Sequence, residues 1–454
     1  MRAAALTAAL LLASPASAQI IGITDVNPNT TSSSSGAGGR INGIAVDPTN
    51  KNIMYAASEY GGLFKSVNGG LNWFALAGHV PVVTWDVEVN PANPLRVYAT
   101  SFYDGRIPSR SGINVSADGG ITWGRPLTAV PPPGLCANPA DQTELSAFGI
   151  AIDRANPNRI YIGTSCGLAI SDDAGDTWAY TAPALGSGHR VWDVVSAVPN
   201  IPDVCGDNGH YWIVGGVWYT GSGLPMGRCS LAASPYFSDP PSLIATVDKK
   251  VFEAPTGINW QETRENPAPQ GRVPFVETNK RSGGSGALFD LWFGDVGLHR
   301  VTCDSALSGI KCGTGNTPAW KPAYTCYVGG QVCTADSQCP VVNNNGNHCY
   351  HAGYSWNWGG HVDMGSIAFD PTAATDACPL INANDGGVYV NTLTTSPGCH
   401  DAYWQQPTVT PHALLIYTAA GANLAGTADD HIIFGTQDNG MFLTTNAKPD
   451  APFY

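Results

Sequence analysis

Apolar residues in this chain come in short runs separated by Gly, Pro, Asn and Asp, a pattern that predicts many short strands joined by tight turns. One extended example runs RINGIAVDPTNKNIMYAASEYGGLFKSVNGGLNWFAL, from Arg40 to Leu76. A second begins WDVEVNPANPLRVYAT and a third FGIAIDRANPNRIYIGT. Each gives an apolar strand, a turn with Asp or Asn, a second strand, a Gly-containing turn and a third strand. Each then closes on S-x-D/N-x-G-x-T/N-W, as SVNGGLNW from Ser66, SADGGITW from Ser116 and SDDAGDTW from Ser171. The closing motif suits a tight hairpin. Ser116 and Asp118 accept backbone N–H groups within the turn, and Gly120 supplies a positive φ. Thr122 starts the outgoing strand, and Trp123 buries a large ring between neighbouring sheets.

Four strands repeated every 40–50 residues or so make a propeller blade. Later units are eroded. A fourth runs from HRVWDVVSAV to KVFEAPTGINW, where YWIVGGVWYT and SLIATV compete for one strand. A fifth holds GRVPFVETN, ALFDLWFGDVGLHRVT and Trp320; a sixth holds DMGSIAFDPTAATDACPLINANDGGVYVNT and Trp404. HALLIYTAAG and DHIIFGTQDNGMFLTT form a seventh that lacks its outer strand, and IIGITDV, at about residues 20–26, is expected to close the ring. The fold class expected is all-β, a single propeller of about seven blades over residues 19–454, with six or eight as alternatives.

Composition adds the compartment. Arg2, the run AAALTAALLLA and ASPASA read as a signal peptide over residues 1–18, so export is expected, secreted or periplasmic. No later apolar run approaches the ~20 residues of a membrane span. All 12 cysteines follow the signal, an even number that fits an oxidising compartment. Six of them, Cys303, Cys312, Cys326, Cys333, Cys339 and Cys349, mark a disulfide-rich insertion over 303–349 whose connectivity stays open; no C-x2-C pair supports zinc. Cys136 with Cys166, Cys205 with Cys229 and Cys378 with Cys399 are the pairs expected outside it, each within one blade. A net charge of -13 leaves no electrostatic footprint for nucleic acid.

In a four-stranded blade the turns between strands two and three share a face with the entrances of the innermost strands. Those turns place Glu59, Asp104, Asp295, Asp385 and Asp438 in equivalent positions. The entrances bring Arg40, Asn42, Trp85, Asp86, Phe148, His189, Arg190, Trp192, Asp193, His361 and Asp363. Carboxylates and aromatic planes on one face suit a polyol ligand. Singly, each acid is also an ordinary turn residue and each Trp an ordinary packing residue. No cofactor is expected; Ca²⁺ is a minor alternative that clustered carboxylates suit.

The Ser–Asp–Gly–Thr–Trp motif resembles the Asp-box (BNR) repeat of sialidases, of xyloglucanase-type glycosidases and of sortilin-like receptors. The resemblance covers nearly all of the mature chain as a propeller. ASEYGGLFK resembles the xyloglucanase turn that bears one catalytic Asp, with Glu59 in its place, and FGDVGLHR resembles the second, at Asp295. Glu for Asp at the first site is a departure, and that family builds its cleft between two propellers. GRIPSR supplies Arg106, Ile107 and Pro108 of a sialidase-like motif, but in the second unit and without the preceding aromatic residue, so sialidase activity is set aside. Two readings remain. The first is an exported propeller that binds a glycan or an extracellular protein segment through Trp85, Asp86, Asp104, Arg190, Trp192, Asp193, Asp363, Asp385 and Asp438. The alternative is a glycoside hydrolase with Glu59 and Asp295 as its carboxylate pair.

Overall fold

The computed structural model describes residues 38–79, 81–105, 110–183, 190–236, 241–262, 275–282, 288–294, 298–304, 311–312, 321–322, 324–326, 349–351, 363–392, 404–423, 430–437 and 441–445. The expected signal peptide, the expected closing strand near 20–26 and most of the 303–349 stretch lie outside them, as do Cys399, Trp320, His189, His361 and the Arg106–Ile107–Pro108 motif.

The described chain is a succession of antiparallel sheets, with one short 3-10 turn at Pro139–Gln142. Each sheet opens on an inner strand: Ile41–Val46, Thr84–Val89, Ala147–Ile152, Val191–Val198, Cys229–Ala233, Phe275–Lys280 and Ser366–Phe369. We call these sheets blades 1 to 7. Apolar clusters fill the spaces between neighbours. Val87 packs with Tyr55 between blades 1 and 2, and Ile160 with Tyr98 between 2 and 3. Val194 meets Leu168 between blades 3 and 4, Leu243 meets Cys205 between 4 and 5, and Phe289 meets Ile244 between 5 and 6. Ile367 packs on Phe275 and Trp292 between blades 6 and 7, and Ile381 packs on Met54 and Phe64 between 7 and 1, which closes the circuit. Burial of these side chains in place of exposed sheet faces stabilises the ring by about 25 cal/mol per Å² of apolar surface.

The three full motifs are built as their residues dictate. In the second, Ser116 Oγ accepts Gly120 N–H at 2.8 Å, and the Asp118 carboxylate accepts Thr122 N–H at 2.9 Å and the Thr122 hydroxyl at 2.5 Å. Gly120 has φ 92°, and Trp123 Nε1 donates to its carbonyl at 3.0 Å. Trp73, Trp123 and Trp178 are each buried in the cluster between their own blade and the preceding one. The Thr122 bonds come first among the causes that hold the Asp118 carboxyl down at about 2. Asp118→Ala and Asp173→Ala are expected to cost about 1–2 kcal/mol each through lost turn bonds. Thermal melts at pH 7 check this, and an unchanged melting point contradicts it.

Three features differ from the sequence expectation. The fourth unit is two blades: Tyr211–Thr220 supplies the outer hairpin of blade 4, whereas Leu243–Val247 is the second strand of blade 5. The sequence hid this because blade 4 ends in a plain hairpin without the Ser–Asp–Gly–Trp motif. As a result Cys205–Cys229 joins two blades instead of staying within one. Cys136–Cys166 forms as expected; Cys303 and Cys378 are also disulfide-bonded.

Second, blade 7 packs directly on blade 1, and the last apolar segments form a separate three-stranded sheet, Ile416–Asn423, Asp430–Thr436 and Met441–Thr444. Third, the 303–349 stretch is not wholly an excursion. Lys311–Cys312 and Lys321–Pro322 both pair with Leu298–Asp304 and extend the blade 6 sheet, and Tyr324–Cys326 pairs with Cys349–His351.

Candidate functional site

Backbone hydrogen bonds fix which loops share a face. Glu59 N–H donates to Arg40 C=O at 3.1 Å, Phe102 to Val83 at 3.0 Å and Ser165 to Ser146 at 2.9 Å. Asp207 N–H reaches Arg190 at 3.2 Å, and Gly365 N–H reaches Ala383 at 2.8 Å. In each blade the turn between strands two and three therefore lies beside the entrance of the inner strand. Glu59, Asp104 and Asp385 sit on this rim, and the turns of the three Ser–Asp/Asn–Gly–Trp motifs are at the opposite ends of the strands. Asp295 and Asp438 lie outside the described residues.

Glu59 is the most developed of these positions. Its turn is held by Ser58 Oγ, which accepts Gly61 N–H at 2.9 Å, and by the Thr84 hydroxyl, which donates to the carbonyls of Ser58 and Gly62 at 2.6 and 2.9 Å. Arg40 Nε lies 4.0 Å from Glu59 Oε2. The same guanidinium donates to the backbone carbonyls of Asp363 and Met364, so it also joins blade 1 to blade 7. The Glu59 charge, ahead of burial and a hydrogen bond between the two side chains, raises the Tyr60 phenol above its usual range, and Tyr417 adds to the effect. A half-buried carboxylate thus stands beside a guanidinium and the Tyr60 phenol, and nothing local in the sequence points to the influence of Tyr417 on Tyr60.

The aromatic residues of the rim are more occupied than a free sugar platform. Trp85 stacks on Phe102 with centroids 5.0 Å apart, and the Arg228 guanidinium lies 3.9 Å from the Trp85 centroid. Trp192 packs on Phe148 at 4.5 Å, donates from Nε1 to Asp207 at 2.6 Å, and has Arg190 and Arg228 at 5.0 and 5.3 Å. Arg228, from the entrance of blade 5, thereby bridges blades 2 and 4 by cation–π contact. Asp363 is exposed with φ 58°, and Asp385 is half-buried in the Asn384–Gly387 turn against Gly38.

Asp86 and Asp193 lie in the channel wall. Asp86 accepts the N–H of Val87 at 2.9 Å and of Ile150, in blade 3, at 3.1 Å. Asp193 accepts Val194 N–H, and also Leu231 N–H and the Ser230 hydroxyl of blade 5, all at 2.8 Å. Each therefore stitches its inner strand to the next blade. Glu88 and Glu277 join them along a cavity of about 570 Å³. Period-two alternation puts Asp86 and Glu88 on one strand face, but only closure of the ring turns that face into a lumen.

Burial raises all four carboxyls: Asp193 to about 6, Glu277 to about 8, and Asp86 and Glu88 also upward, with mutual repulsion adding for Asp86, Glu88 and Glu277. Glu277 is exposed toward this cavity, whose walls are protein. Folded-state values above the unfolded value of about 4 mean that the native chain holds extra protons between roughly pH 4 and 8. Their contribution to stability is therefore greatest near pH 4 and falls as pH rises through 8. Glu277→Gln is expected to raise the melting point at pH 9 by the equivalent of about 1 kcal/mol, allowing for screening by lumen water, and to change it little at pH 4. Equal shifts at both pH values contradict the linkage.

Among the described residues no group of three or more His, Cys, Asp or Glu side chains is arranged to hold a metal ion. No described helix is long and apolar enough to cross a membrane.

No family model matches the chain. It is 28% identical over 190 residues to xyloglucanase Xgh74A of Acetivibrio thermocellus, covering 39% of this chain and 21% of that protein. It is 29% identical over 178 residues to a xyloglucanase of Hypocrea jecorina, covering 35% and 20%. The matches span about a fifth of the length of these curated relatives. Among solved structures, an ancestral GH74 enzyme superposes with TM-score 0.64 at 18% identity, over 95% of this chain and 55% of that one. The GH74 xyloglucanase of Xanthomonas campestris gives TM-score 0.53 at 17% identity, over 90% and 60%. The chain thus has the β-propeller fold of GH74 xyloglucanases.

Proposed function

We propose that this chain is a glycoside hydrolase acting on a neutral β-glucan of the xyloglucan type, exported by its N-terminal signal. The observation that carries the reading is the setting of Glu59: a rim carboxylate with the Tyr60 phenol bonded to it and the Arg40 guanidinium 4.0 Å away. Sequence similarity to proteins named xyloglucanase supports the substrate class.

The chemistry needs two carboxyl groups. One gives a proton to the departing glycosidic oxygen while the other activates water or attacks the anomeric carbon. Glu59 is assigned one role and Asp295, within the sequence FGDVGLHR, the other. Arg40 and Tyr60 fix the Glu59 carboxyl against rotation, so that little reorganisation is left for the transition state. Occupation of Trp85 and Trp192 by Arg228 favours this reading over a binding propeller whose ligand stacks on those two rings.

A polysaccharide panel scored for reducing-end release and for retention tests the proposal. Release from xyloglucan is the expected result. Retention without release, lost on Trp85→Ala or Trp192→Ala, would instead establish the binding reading.

A further inference from the structure

We propose that Tyr417, carried by the last three-stranded sheet, forms with Tyr60 an aromatic wall that positions a sugar ring of the substrate beside Glu59. The inference deepens the hydrolase reading and rests on it.

 

The two tyrosines lie 357 residues apart in the sequence and are brought together by backbone packing. Ala413 N–H donates to Gly38 C=O at 3.0 Å, and a Cβ placed on Gly61 would lie 2.8 Å from Ala413 Cβ. The segment that enters the last sheet is thereby held against the Glu59 turn, where a larger residue than Gly61 would push it away. Gln437 N–H donates to Leu415 C=O at 3.1 Å and sets the start of the strand that follows, Ile416–Asn423. Tyr417 is the second residue of that strand.

Exposure separates these two rings from the tyrosines of the core. Tyr55, Tyr98, Tyr161 and Tyr389 are fully buried between blades, whereas Tyr60 and Tyr417 are 41% and 68% exposed. Exposed aromatic faces beside a carboxylate match what a neutral sugar requires. Its C–H faces pack on a ring, and its hydroxyls bond to phenol and carboxylate oxygens. The influence of Tyr417 on the Tyr60 phenol supports their closeness.

The test compares Tyr417→Ala with Tyr417→Phe in the full chain, with xyloglucan as the probe. Tyr417→Ala is expected to raise KM about tenfold, with kcat and the melting point unchanged, and Tyr417→Phe to stay within about twofold of the native chain. Unchanged KM in Tyr417→Ala, or equal damage by Phe and Ala, overturns the wall while leaving the hydrolase reading intact. If the native chain shows no turnover, the hydrolase reading fails, and retardation in a xyloglucan gel decides the wall. Retardation lost in Tyr417→Ala and kept in Tyr417→Phe supports it; any other pattern, including no retardation of the native chain, overturns it.

Discussion

Glu59→Gln is expected to lower the rate of reducing-end release from xyloglucan by about 10²–10⁴-fold, the usual contribution of a positioned acid–base group. The amide keeps the shape of the side chain and an oxygen to accept from Tyr60, but it has lost both the charge and the proton that the reaction uses. KM is therefore expected to change far less than kcat. The turn itself depends on Ser58, Thr84 and the backbone, not on the carboxylate, so the melting point should hold. Initial rates across a substrate series measure the split. A variant with native kcat removes Glu59 from the mechanism even if the chain proves to be a hydrolase.

Loss of the Cys205–Cys229 disulfide is expected to have the largest effect on stability. The bridge ties the second strand of blade 4 to the inner strand of blade 5 across a separation of 24 residues. Closing a loop of that size in the unfolded chain is worth about 3 kcal/mol in the chain-entropy description. Both cysteines are buried in the core between these blades, with Leu243, Phe252 and Trp260. A Cys205→Ala, Cys229→Ala double variant therefore adds a small packing loss to the loop term. Chemical denaturation at pH 7 checks the value; a loss below about 1 kcal/mol contradicts it.

The fold was legible wherever its signals are local. Ser116, Asp118, Gly120 and Trp123 bond to one another within eight residues, so the motif carries its own geometry. Blade 5 shows how that legibility fades. The APTGINW stretch lacks the Asp, and Trp260 Nε1 is buried with no hydrogen-bond partner among the described residues, unlike Trp73, Trp123 and Trp178, which each donate to a Gly carbonyl in the turn. With that motif degraded and none in blade 4, two blades read as one unit.

The site was legible in part. The turn alignment put Glu59, Asp104 and Asp385 on one rim, because that depends only on strand order. What the residues around them touch is non-local. Arg228 reaches Trp85 and Trp192 from another blade, and Asp86 and Asp193 turn to the backbone of the blade that follows. Glu88 and Glu277 meet in the lumen only after the ring has closed.

Hydrolysis in water enriched in ¹⁸O tests the central claim most directly. The purified native chain is incubated with xyloglucan, and the released oligosaccharides are weighed by mass spectrometry. A glycoside hydrolase places one ¹⁸O at each new reducing end, and Glu59→Gln should leave the polymer uncut under the same conditions. An intact polymer after exhaustive incubation with the native chain, or fragments without the label, would contradict the account.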